Sequence, residues 1–231
     1  MIAAQVRELA PAVDESALAL SELRMSPGDV RTVADPERDS LLFVFAGSGS
    51  LALGEETRPV TAGAAGLVLA GEEATLEADS AELRAICATI GPDADRHAPI
   101  GARETVAGLD DAGSEKATGA RSFQILFGPH NGSTRATLFA GFIPPGKAPW
   151  HYHLYDEIVW VPDGPGRLHI GDTTEELRPG STFRLRPRQV HIVENLSSSE
   201  QMTVIGIFTP AGSPSAAYLT PDVAAEYRFA G

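Results

Sequence analysis

Short apolar runs, each closed within a few positions by glycine, proline or an acidic residue, set the rhythm of this chain. Leu41-Leu42-Phe43-Val44-Phe45-Ala46 ends at Gly47-Ser48-Gly49, and Ser50–Leu53, Leu67–Leu69, Ala74–Glu77 and Leu83–Ile90 follow at similar spacing. Turn signals this dense predict strands, and an all-β barrel or sandwich rather than helical layers. Residues 17–25 run into Ser26-Pro27-Gly28-Asp29 and suit a strand closed by a turn. Helix is the competing reading there, because Ala, Leu and Glu favour it by propensity. From Gly91 to about Arg121 the periodicity fades into prolines, glycines and charges, which predicts a connection with a short strand around Glu104–Val106. Strands resume at Ser122–Phe127 and Thr134–Ile143, then at Arg167–Ile170, Ser181–Leu185, His191–Glu194 and Met202–Phe208. Pro221–Tyr227 suits a short final helix. The expected units are an N-terminal domain over 1–90, a linker over 91–121 and a C-terminal domain over 122–231.

The two halves repeat. Residues 47–63 align without a gap on 164–180, an offset of 117 that brings Gly47, Gly49, Leu51, Gly54, Thr57 and Gly63 onto Gly164, Gly166, Leu168, Gly171, Thr174 and Gly180. Coincident glycines mark recurring turns, so two copies of one β-domain account for the length and for the connection between them.

The second copy carries chemistry that the first lacks. His151 and His153 stand two apart and Glu157 four further on, so period-2 alternation along one strand would turn all three to the same side. Two imidazoles and a carboxylate on one face suit a divalent first-row metal. His151, His153, Glu157 and His191 fall by the same offset on Ala34, Pro36, Ser40 and Ala74, none of which ligates a metal well. The N-terminal copy is therefore expected to be structural, covering the other domain's outer sheet or forming an oligomer interface.

These residues resemble the cupin superfamily in its two-domain, or bicupin, arrangement. The first cupin motif is matched by Gly146, His151-x-His153, Glu157 and Gly164, and the second by Gly180, His191 and Asn195. Arg186 and Arg188 stand where proline and glycine are usual, a departure that alters the turn before His191. The resemblance implies two tandem double-stranded β-helix (jelly-roll) barrels, with one divalent transition metal held by His151, His153, Glu157 and His191 in the second. The donor types suit Fe, Mn, Ni, Cu or Zn without choosing among them, and Fe or Mn is the favoured expectation. Four protein ligands on an octahedral ion leave two positions for water, dioxygen or a bidentate substrate.

Strand phase nominates Tyr155, Val159, Phe183, Val193 and Asn195 as substrate-binding residues, with Asn195 as readily satisfying a turn. Arg184 and Arg186 are expected to face solvent, His169 to be an exposed strand residue, and His97 and His130 to stay out of the site. Trp150 and Tyr152 suit either an aromatic rim or packing between domains. No catalytic residue beyond the ligands can be named. The net charge of −13 argues against nucleic acid and anionic membrane as partners. A lone Cys87 in an apolar run reads as a buried small hydrophobe. The amino terminus shows no signal-peptide pattern and no run approaches a membrane span, so a cytoplasmic location is expected. A ligand-free copy with spare apolar strands makes a homodimer a reasonable expectation. The function anticipated is a metal-dependent dioxygenase-type oxidoreductase on a small organic molecule. The alternatives are an isomerase or decarboxylase, or a non-catalytic binding module.

Overall fold

The computed structural model describes residues 5–11, 17–117 and 120–221. The first half contains β1 (Gln5–Ala10), β2 (Leu18–Met25), β3 (Val30–Ala34), β4 (Asp39–Ala46), β5 (Ser48–Leu53), β6 (Glu56–Thr61), β7 (Ala64–Val68), β8 (Glu73–Ala78) and β9 (Leu83–Ile90). The connection adds β10 (Val106–Gly108) and β11 (Ser114–Lys116). The second half follows with β12 (Ser122–Phe127), β13 (Thr137–Ile143), β14 (Gly146–Lys147), β15 (His151–His153), β16 (Asp156–Trp160) and β17 (Gly166–Ile170). It closes with β18 (Thr173–Leu177), β19 (Thr182–Leu185), β20 (His191–Asn195), β21 (Met202–Thr209) and β22 (Ala217–Leu219). Among the described residues no helix is long and apolar enough to cross a membrane. The expected helix over 221–227 lies almost wholly outside the described residues.

Each half folds two sheets against one another. In the first, β1-β2-β9-β4-β7-β10 packs on β3-β8-β5-β6; in the second, β11-β12-β13-β21-β16-β19 packs on β18-β17-β20-β15-β22. The order β1-β2-β9-β4-β7 recurs as β12-β13-β21-β16-β19 and β3-β8-β5-β6 as β15-β20-β17-β18, with β10, β11 and β22 added, and the turn glycines Gly54 and Gly171 adopt similar positive φ, 59° and 54°. Residues 17–25 are strand, because β2 alternates Leu18, Leu20 and Leu23, Met25 between two apolar environments that a helix would not reach together. Apolar runs do not reveal β3, β6 and β18, which expose most of their residues.

The large sheets of the two barrels pack back to back. Leu42 and Val44 of β4 fill the first barrel, while Leu41 and Phe43 on the opposite face join Ile158, Trp160, Ile205 and Ile207 in a core shared by both halves. A strand apolar on both faces reads as a continuous run, which is why residues 41–46 do not alternate. The outer apolar face of β4 is thus covered within the same chain. Two buried ion pairs flank this core. Arg135 meets Asp39 at 3.2 Å and the Glu37 carbonyl at 2.9 Å. Arg184 meets Asp156 at 2.7 Å and reaches the Leu18 carbonyl at 2.8 Å. Arg184 is not a solvated arginine: its alternation with Phe183 and Leu185 points it at the first barrel. The connection is stitched to both barrels, since β10 pairs with β7 and β11 with β12. Cys87 is half-buried, and burial of its thiol pushes it up to about 11, which disfavours the reactive thiolate.

Candidate metal centre

Two sheets, not one strand, assemble the candidate ligands. His151 and His153 point inward from β15, with Tyr152 between them facing out. His191 lies directly across from His151 in the β15–β20 ladder. The chain then bends at Leu154-Tyr155 and crosses to the other sheet, so Glu157 enters from β16, paired with Leu185 and Phe208. Alternation along a single strand therefore fails as the reason for convergence. The barrel closes the set by bringing two facing sheets together.

All four side chains are buried, none more than 5% exposed. The imidazole of His191 lies 4.4 Å from that of His151 and 4.8 Å from that of His153, centre to centre. His151 Nδ1 sits 2.8 Å from the Pro149 carbonyl and His191 Nδ1 2.9 Å from that of Gln189. A carbonyl can only accept, so each proton belongs on Nδ1 and each Nε2 lone pair faces the cavity. Burial holds both rings neutral, with His151 pushed down to about 4 and His191 to about 2.

His153 differs. Its Nε2 lies 2.9 Å from Glu157 Oε2, while its Nδ1 is buried without a hydrogen-bond partner. Among the described residues no three His, Cys, Asp or Glu side chains already form a metal cage. The donors nevertheless fit one. A carboxylate and three imidazoles border one cavity, and His153, whose Nδ1 is left without a partner, and Glu157 could both turn their facing atoms to a cation held there. Gly206 makes room for the Phe139 ring and the Glu157 carboxylate: a Cβ there would come within 2.3 Å of the ring and 2.6 Å of Glu157 Oε1.

The turn before His191 keeps its shape despite the missing glycine. Arg188 takes φ of 65°, the left-handed conformation glycine normally supplies, and its N–H donates to the His153 carbonyl at 2.7 Å. That turn aims the Gln189 carbonyl at His191.

The four side chains border a cavity of about 90 Å³. Tyr155, Val159 and Val193 line it, together with Phe123, Phe139 and Arg121. Tyr155 is stacked between His153 at 4.1 Å and Phe208 at 3.9 Å, and burial beside Glu157 keeps its phenol protonated. Two nominated residues are not on the wall. Phe183 packs into the second barrel's apolar core, and Asn195 donates to the Ile143 and Glu200 carbonyls while accepting from Ser197 N–H. Asn195 satisfies a turn.

His169 is on the outer face as its phase required, but it is half-buried against Glu194 at 2.7 Å rather than exposed. Trp150 lies edge-on to His169 and Tyr152 stacks on Tyr218, so neither forms a rim around the cavity. His97 is exposed. Arg121 and the segment Pro214–Ala217, which also borders the cavity, escape sequence reasoning. Arg121 precedes the first apolar residue of β12 at the end of a polar stretch, and nothing in its neighbours marks it as a site residue. β22 gives little more signal, being three residues long and recruited through its pairing with β15.

Residues 140–208, which contain all four candidate ligands, match the family model of the cupin domain. No curated protein matches the chain by sequence. Among solved structures the chain is similar to a variant of Bacillus subtilis oxalate decarboxylase, with 14% identity over 98% of this chain and 78% of that one at a TM-score of 0.77. It is also similar to Lactobacillus farciminis oxalate decarboxylase in a formate complex, with 13% identity over 98% and 86% at 0.78. A third is a putative glyoxylate-induced protein from Pseudomonas aeruginosa, with 14% identity over 89% and 80% at 0.75. At such identities the likeness speaks for the fold. Residues 140–208 thus match a cupin domain, and both halves of the chain share the two-barrel fold of these structures.

Proposed function

We propose that the second barrel is a metal-dependent active site in which His151, His153, Glu157 and His191 hold one divalent transition metal beside a small organic acid. The observation that carries this reading is the 2.9 Å contact of Glu157 Oε2 with His153 Nε2, facing two imidazoles whose Nε2 lone pairs are turned into the same cavity. Mn and Fe lead among the metals, and the similar oxalate decarboxylase of Bacillus subtilis has Mn(II) centres. When bound, the ion supplies Lewis acidity to a substrate oxygen. The chain supplies the rest. The Pro149 and Gln189 carbonyls fix the tautomers of His151 and His191. Tyr155 keeps its phenol protonated on the cavity wall, its O–H directed at the Pro214 carbonyl at 3.5 Å. Phe123, Phe139 and Val193 keep bulk water away from the reacting atoms.

Non-redox chemistry, decarboxylation above all, stands ahead of oxygenation. Loss of carbon dioxide leaves an electron pair on carbon that must take up a proton, and the cavity wall holds one protonated phenol, that of Tyr155. Similarity to oxalate decarboxylases points the same way. A dioxygenase reaction is the second reading, favoured by the aromatic wall. The test is to supply small carboxylic acids to metal-loaded protein while following carbon dioxide release and oxygen uptake. Carbon dioxide release without stoichiometric oxygen uptake supports the proposal. Oxygen uptake matching product favours the dioxygenase, and neither signal with metal fully bound favours a binding module.

A further inference from the structure

Apart from the imidazoles, Arg121 is the one cationic side chain among the described residues lining the cavity, and Glu157 the one carboxylate. A guanidinium carries five donors in a planar fork, enough to keep a protein partner and still receive a carboxylate. Much of the remaining wall is apolar: Phe123, Phe139, Ile143, Val159, Val193 and Val204. A second charge or a hydroxyl laid against that surface gives up its water and finds no partner. The cavity of about 90 Å³ would hold on the order of six waters, which limits a ligand to a comparable number of heavy atoms.

Resting on the metal-centre reading above, the geometry points to a substrate class: a short organic acid with one carboxylate, held at Arg121, and an apolar body lying against Phe123, Phe139 and Val193. A two-carbon dicarboxylate such as oxalate has no apolar atoms to place there and is disfavoured. This selectivity belongs to the chain's own residues, so it is measurable without turnover. Isothermal titration of metal-stripped wild type with isobutyrate, its neutral isostere isobutyramide and oxalate removes chelation from the comparison. Isobutyrate is expected to bind about tenfold or more tightly than either of the others, the range of one charge-assisted hydrogen-bonded contact. Arg121→Gln should abolish the preference for isobutyrate over isobutyramide, and Arg121→Lys should retain part of it. Oxalate binding as tightly as isobutyrate, an unchanged isobutyrate preference in Arg121→Gln, or no binding of any probe overturns the inference. Metal uptake by the wild type, measured separately by elemental analysis, decides the metal-centre reading, so the two failures are distinguishable.

Discussion

Acid should weaken the metal-free protein well above the pH at which carboxylates titrate. His151 and His191 are neutral in the fold, at about 4 and about 2, against 6.5 for an accessible imidazole. Between those values the unfolded chain binds protons that the folded chain refuses, so stability is full above pH 6.5 and falls as pH drops through it. At pH 5 the unfolded imidazoles lie about 1.5 units past their midpoint, and at about 1.36 kcal/mol per unit each ring costs about 2 kcal/mol. The pair together removes about 4 kcal/mol, a large part of the roughly 5–15 kcal/mol that holds a typical domain folded. Glu22 stays out of this window: burial pushes its carboxyl up, but Arg84 and Arg7 together bring it below 4.5, so its contribution is lost only at lower pH. The assay is urea unfolding of chelator-treated protein at pH 7.5, 6 and 5, followed by tryptophan fluorescence. The double variant His151→Gln, His191→Gln should flatten the dependence. A wild-type loss under about 1 kcal/mol between pH 7.5 and 5 would refute the claim that these rings are sealed from water.

Other consequences are open to direct measurement. Elemental analysis should find most bound metal lost from His151→Ala and Glu157→Gln but kept by His169→Ala and His97→Ala; equal metal in all four would refute the ligand assignment. Gly206→Ala forces the Phe139 ring or the Glu157 carboxylate to move, and should lower metal affinity by about tenfold or more, as disturbed ligand-orienting shells do. Arg188→Gly removes a left-handed, side-chain-bearing residue and should stabilise by about 1 kcal/mol, raising Tm by about 2–4 °C for a chain of this size. Asp39→Asn leaves Arg135 buried without its counter-charge between the barrels and should cost about 3–5 kcal/mol. Because one apolar core joins the halves, that variant should still melt in a single transition by calorimetry.

Local chemistry made the β-class, the repeat and the four candidate ligands legible in one dimension. Gly54 and Gly171 mark turns because a positive φ leaves its trace in a single residue, and a buried metal donor set needs rare residue types that stand out from their neighbours. Glu157 stands out in the same way, yet strand alternation is not what makes it converge. It reaches His153 across the barrel from a second sheet, and such a crossing leaves no periodic mark. Arg184 resembles any alternating surface arginine until the first barrel is packed behind its strand, because what lies beyond a sheet is not written in that sheet. Arg121 and Pro214–Ala217 are the extreme case. They come from a polar connection and a short late strand, and they become cavity wall only because the closing of the barrel brings those distant segments to the ligand strand. Residue type reveals which atoms can do chemistry. The long-range pairing of strands decides what surrounds them.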